Sequence, residues 1–135
     1  MNKLLISSVV LILLVIGGFV FISNSNITGN TVLEGSDNQM KTFVLTGDNF
    51  KFVMDGVDNP NLVVKEGDKV RIEFTSSKGF HDWVVDEFSA ATEQVRDTDG
   101  STFVEFIADK KGTFEYYCSV GKHRANGMKG NLIVE

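Results

Sequence analysis

V-V-K-E-G-D-K-V-R-I-E-F, residues 63–74, runs from a short apolar stretch through a turn into alternation. Val70, Ile72 and Phe74 face one way; Arg71, Glu73 and Thr75 face the other. That period of two marks a half-buried strand and does not fit a helix. Glu66-Gly67-Asp68 is the turn that separates it from Leu62-Val63-Val64. The same grammar spreads outward. Upstream, Phe43 and Leu45 alternate with polar neighbours, and Phe50 to Val53 follows the turn residues Gly47-Asp48-Asn49. Downstream come Trp83-Val84-Val85, then Val104, Phe106 and Ala108, then Phe114, Tyr116 and Cys118 on one face after Lys110-Lys111-Gly112. Leu132 and Val134 close the chain. Short runs at near-regular spacing, with 11 Phe in 135 residues, predict an all-β domain built as an antiparallel sandwich or barrel. Between Ser89 and Val95 the pattern weakens, and one or two helical turns are expected there, without a capping box to support them.

The N-terminal third reads differently. Residues 4–22, L-L-I-S-S-V-V-L-I-L-L-V-I-G-G-F-V-F-I, hold 19 residues without a charge, close to the ~20 that span a bilayer core. Lys3 precedes them and the next basic residue is Lys41. The positive-inside bias then puts the N-terminus in the cytoplasm and the rest outside. The rival reading is a cleaved signal peptide, whose apolar region is normally shorter and which finds only the weak S-N-S at 23–25 as a cleavage site. The expectation is therefore a signal-anchor over 1–22, a flexible Ser/Asn/Gly-rich tether over 23–40, and a β domain over 41–135. The protein would sit in the cell membrane as a single-pass chain with its domain on the extracytoplasmic side, or be secreted or periplasmic if the segment is cleaved.

The net charge of −5, and the lack of any Lys/Arg run, argue against nucleic acid as a partner. The chain has one Cys and two His. Outside the cytoplasm a single thiol is an intermolecular bridge, a reactive group or a metal ligand. Its setting separates these. C-S-V-G-K-H-R-A-N-G-M, residues 118–128, places Cys118, His123 and Met128 at intervals of five on a loop with Gly121 and Gly127. His81 begins another strand, whose end can lie beside that loop in a sandwich. Two imidazoles, one thiolate and a weak thioether form the donor set of a blue-copper electron-transfer site. Zinc more often takes shorter Cys and His spacings without Met, and an iron–sulfur cluster needs about four Cys. Taken singly, each residue has an ordinary structural reading: a buried Cys is a small hydrophobe, a strand-end His is a hydrogen-bonding group, and a Met is packing. Together they would have to reach ligand-competent places by accident.

These residues also carry a resemblance. G-T-F-E-Y-Y-C-S-V-G-K-H-R-A-N-G-M-K-G-N-L-I-V-E, residues 112–135, resembles the ligand loop and last strand of the cupredoxins, the plastocyanin/azurin family of blue copper proteins. G-F-H-D-W, residues 79–83, resembles the family's first-histidine region, and residues 63–74 the strand–turn–strand before it. The C-x4-H-x4-M spacing is that of rusticyanin-like members. The resemblance implies a Greek-key β-sandwich binding one type 1 copper ion per chain, with His81, Cys118 and His123 equatorial and Met128 axial. It implies outer-sphere electron transfer with redox proteins and an exposed edge of His123 as the electron port. Two positions depart from the pattern. Asp82 stands where many members have Asn, bringing a charge beside the loop residue Ser119. Phe114 stands where many have a Tyr whose hydroxyl braces the strand, so it is expected to be core only.

The leading expectation is a membrane-tethered single-electron carrier, taken as a monomer, working with membrane-associated redox partners and not an enzyme. The alternative is a copper-binding or copper-delivery protein without sustained redox cycling. Multicopper enzymes need many more than two histidines, a dinuclear copper centre needs a second thiolate, and a Cys–His hydrolase would leave Met128 without a role. Between Tyr116 and Val134 the charges are Lys122, Arg124 and Lys129 with no acid, so a locally positive rim beside His123 is expected, facing an acidic partner.

Overall fold

The computed structural model describes residues 40–135. The anchor expected over 1–22 lies outside the described residues, as does the tether of 23–40 except Met40, which already pairs with Lys69. The strands are β1 (Met40–Asp48), β2 (Lys51–Met54), β3 (Val57–Asp58), β4 (Leu62–Val64), β5 (Lys69–Lys78), β6 (Phe80–His81), β7 (Val84–Val85), β8 (Ala90–Ala91), β9 (Val95–Arg96), β10 (Ser101–Ile107), β11 (Gly112–Tyr117) and β12 (Lys129–Val134). One five-stranded sheet has the order β10-β5-β1-β2-β3, the other β4-β12-β11-β7-β8, and β6 pairs with β9. The chain crosses repeatedly between the sheets, giving the all-β sandwich that the alternation predicts.

Two ladders correct the antiparallel expectation. β1 runs parallel to β5, and β4 parallel to β12. Alternation encodes which face a side chain takes but not strand direction. β4 lies in the opposite sheet, so the chain returns to β1 with β5 running the same way. The stretch 89–95 is also not helical. A 3-10 turn, Asp86–Phe88, ends at Ser89 in the left-handed region (φ 48°), and β8 and β9 follow. Ala90, Thr92 and Val95 are buried. Thr92 ties the segment down: the Trp83 amide donates to its Oγ1 (3.0 Å) and its amide donates to the Trp83 carbonyl (3.0 Å).

The core lies between the sheets, where Leu45, Phe52, Ile72, Phe74, Trp83, Tyr116 and Leu132 are fully buried. Trp83 is stacked between Tyr116 and Phe106, with ring centroids at 5.6 and 6.0 Å. Phe114 is partly buried and meets Phe88 edge-on. The hydroxyl brace missing at that position is supplied two residues later. Tyr116 donates its hydroxyl to the Pro60 carbonyl at 2.6 Å, tying β11 to the turn before β4. Opposite it in register stands Gly130, where a Cβ would sit 2.4 Å from the Tyr116 ring. Only glycine lets the ring lie flat across β12 there. β11 is thus fixed in register and depth just before it delivers Cys118.

Candidate metal centre

The site forms at the end of the sandwich where β1, β5 and β11 finish. Cys118 follows the last residue of β11 and is 1% exposed. From there the chain makes successive turns. His123 N–H donates to the Val120 carbonyl (3.0 Å), Asn126 N–H to the Lys122 carbonyl (2.9 Å), and Gly127 N–H to the Arg124 carbonyl (3.1 Å). Two bonds then close the loop on itself: Cys118 N–H donates to the Met128 carbonyl (3.2 Å), and Met128 N–H to the His123 carbonyl (3.0 Å). The backbones of all three loop residues singled out in the sequence are therefore locked together. Met128 is fully buried.

His81 comes from the other side. Its ring is 1% exposed and its Nε2 lies 2.8 Å from the Lys78 carbonyl. A carbonyl oxygen only accepts, so Nε2 carries the hydrogen. In the neutral ring Nδ1 is then a bare lone pair, the form in which histidine ligates a metal. That Nδ1 is 3.1 Å from Nδ1 of His123 and 3.8 Å from Sγ of Cys118, and the thiol is 3.4 Å from Nδ1 of His123. The centre of a triangle with these edges lies about 2 Å from every corner, which matches first-row metal bonds to imidazole and thiolate. The three donors thus fit one ion, and among the described residues His81, Cys118 and His123 are the group placed to hold a metal.

Burial sets the electrostatics. It pushes the Cys118 thiol up to about 11, so a thiolate there calls for a bound cation as counter-charge. Burial, with the neighbouring His81 ring, holds His123 below the ordinary imidazole range. Both shifts favour the uncharged form of the group when no metal is bound.

Asp82 braces the ligand loop, as its place beside Ser119 suggests. Its Oδ1 accepts the Ser119 amide at 2.7 Å and its Oδ2 the Ser119 hydroxyl at 2.5 Å. Gln94 adds a third donor at 3.2 Å. The carboxylate is 3% exposed and, among the described residues, has no ion-pair partner.

Other residues of the site carry no legible signal in the sequence. Asn59, at φ 47°, accepts the Phe52 amide with its Oδ1 and donates its Nδ2 to the Gly127 carbonyl (3.1 Å), pinning the ligand loop to the β2–β3 hairpin. Gly47, at the irregularity where β1 leaves register with β5, leaves room for His81: a Cβ would be 2.9 Å from the ring's Cγ. Gly79 does the same on the other side, 2.9 Å from Nε2.

The positive rim needs correction. Arg124 and Lys129 both pair with Glu115, at 2.7 and 2.9 Å. Glu115 sits just upstream of the acid-free stretch, and the turn of the loop brings both cations back over β11. Among the described residues Lys122 has no such partner.

A two-sheet sandwich with a buried thiol and two imidazoles converging at one end defines a copper-binding β protein. The chain belongs to the plastocyanin/azurin family of copper binding proteins, whose family model matches residues 38–135. Its cofactor is one type 1 copper ion. Rusticyanin from Thiobacillus ferrooxidans is 27% identical over 71% of this chain and 77% of that one, with a TM-score of 0.58. Auracyanin A, a "blue" copper protein from Chloroflexus aurantiacus, is 19% identical over 71% of this chain and 99% of that one, with a TM-score of 0.57. Auracyanin from Roseiflexus castenholzii is 22% identical, covering 75% and 99%, also at 0.57. The auracyanin likeness is one of fold. No curated protein sequence matches the chain.

Proposed function

We propose that the chain is a membrane-anchored, extracytoplasmic carrier of single electrons, with His81, Cys118, His123 and Met128 holding its copper. The observation that carries this reading is the triangle of His81 Nδ1, Cys118 Sγ and His123 Nδ1. Bound copper supplies a one-electron couple. The chain supplies a frame that keeps its donors in place through the change of charge. His81 is fixed by Lys78 and packed between two glycines. Cys118 is fixed by Asp82 through Ser119 and by Met128 through its backbone. Buried Met128 excludes water and offers the weak thioether donor. His123 reaches a surface depression and is the path in and out. A delivery protein would instead need ligands that open readily, and the buried, doubly cradled His81 speaks against that.

The anchor rests on the 19 uncharged residues 4–22 and on Lys3 before them. A tether raises the local concentration of a carrier near membrane-bound redox partners. The carrier is taken to work as a monomer. Loading the chain with Cu(II) is expected to give an intense thiolate-to-copper band at one copper per chain, absent in Cys118→Ser. A pale solution, or oxidation of Cys118 without a stable band, overturns the carrier reading. Retention in the membrane fraction, lost on deletion of residues 1–22, checks the anchor.

A further inference from the structure

Gln94 joins two different environments. It lies between buried Thr92 and buried Val95, in the stretch from β8 to β9, and is itself exposed. With Glu93, Asp99 and Phe103 it lines a depression of about 500 Å³ beside β10. Its Nε2 nevertheless reaches inward, to 3.2 Å from Asp82 Oδ2 and 3.3 Å from Ser119 Oγ. A carboxylate only accepts, which fixes the end of the amide that faces it. Asp82 and Ser119 are the pair that braces the root of the ligand loop, through the Ser119 amide on Oδ1 and the Ser119 hydroxyl on Oδ2. The hydroxyl gives its hydrogen to Asp82 and so meets Gln94 as an acceptor. An amide nitrogen carries two hydrogens, and Gln94 donates to both members of the brace. Asp82 is 3% exposed, and among the described residues Ser119 and Gln94 are the side chains that donate to it.

We infer that Gln94 is a positioning residue for the copper centre, acting through Asp82 and Ser119. The inference rests on the carrier reading and adds a residue that tunes the carrier's reduction potential. Two effects run through the same amide. Its hydrogens offset part of the Asp82 charge, which otherwise acts in full on the adjoining ligands His81 and Cys118. Its bond to Ser119 Oγ polarises that hydroxyl and strengthens the hydroxyl's own bond to Asp82. The side chain also stands between the open depression, which Asp82 does not line, and the buried carboxylate. Gln94 touches no ligand and holds no metal; its influence passes entirely through the brace.

The test uses the full chain and the variant Gln94→Met, which keeps the length of the side chain and removes its donors. In the metal-free chain, hydrogen exchange at the Ser119 amide is expected to speed up about tenfold, the scale of weakening one bond to a charged group. The Thr92 amide, bonded to the Trp83 carbonyl, is expected to keep its protection. Gln94→Lys supplies a charged donor in the same place and is expected to retain the protection at Ser119. In the copper-loaded chain, voltammetry is expected to show a lower reduction potential for Gln94→Met, because the less compensated carboxylate favours Cu(II). Ser101→Ala lines the same depression and is expected to leave the potential unchanged. The decisive comparison is Asp82→Asn with Asp82→Asn/Gln94→Met. A residue that acts through the Asp82 charge has no further effect once that charge is gone, so the two potentials should agree. Effects that simply add overturn the inference. So do an unchanged or raised potential in Gln94→Met, unchanged exchange at Ser119, or protection lost equally in Gln94→Lys, which would make packing the cause. A chain without the thiolate-to-copper band fails the carrier reading instead. The Ser119 result is read without metal, and it decides the role of Gln94 in the brace in either case.

Discussion

The two histidines of the centre offer the same donor atom from opposite surroundings. His81 is 1% exposed, its second nitrogen is committed to the Lys78 carbonyl, and Gly47 and Gly79 close on its ring. His123 rides a succession of turns, is only partly buried and shares its surroundings with half-exposed Phe50. One ligand is part of the frame and the other is part of the surface. An electron carrier needs both: a coordination shell that resists change, and one ligand through which a partner can be reached. The division also fits the bracing of the loop at its root, through Asp82 and Ser119, and at its far end, through Asn59 and Gly127, while His123 between them reaches the surface depression.

The sharpest way to break this contrast is to disturb the frame side. Gly47 needs no special backbone conformation; its constraint is the space that His81 fills. Gly47→Ala is expected to push the ring aside at about 1–3 kcal/mol, the range for overpacking a close-packed interior. The thiolate-to-copper band should shift or weaken, and the loaded chain should melt earlier. An unchanged band and melting point would falsify the frame role of His81. The next effect is electrostatic. Asp82→Asn keeps an acceptor for the Ser119 amide but removes a buried anion beside the centre. The anion favours the more highly charged Cu(II) state, so its removal should raise the reduction potential by about 1–2 kcal/mol, the scale of one charge at several ångströms in a protein interior. Voltammetry that shows no change or a fall sinks this account.

What the sequence made legible follows the same line between frame and surface. The alternation over Val70, Ile72 and Phe74, and again at Tyr116 and Cys118, identified the buried faces, because burial is written in side-chain chemistry at a fixed period. The ligand loop was legible because Cys118, His123 and Met128 are rare residues with a strict chemical requirement. The direction of β5 beside β1 was not, because backbone pairing leaves no mark on side-chain polarity. Nor were Gly47, Asn59 and Gln94, which matter through contacts with residues far along the chain. Glu115 shows the limit best. A window of sequence charges made the rim cationic through Lys122, Arg124 and Lys129, yet the last two fold back onto Glu115. Of those loop cations only Lys122 has no ion-pair partner among the described residues, and Lys78, which lines the depression beside His123, comes from β5, which the loop sequence does not contain.

The smallest effect belongs to the surface side. Phe50 touches His123 edge-on, a geometry worth roughly 0.5–1.5 kcal/mol between aromatic rings. Phe50→Ala should therefore lower stability by about that much on top of the modest loss of its half-buried apolar area, and it should leave the thiolate-to-copper band in place. His123 keeps its backbone ties to Val120 and Met128, and the triangle does not depend on the neighbour's ring. Electron exchange with a docked protein should change more than the spectrum does, since the floor of the depression loses its largest apolar group. A band that moves as far in Phe50→Ala as in Gly47→Ala would mean that His123 is positioned by its exposed neighbour. The surface ligand would then be as much a part of the frame as His81, and the division of labour between the two histidines would fall.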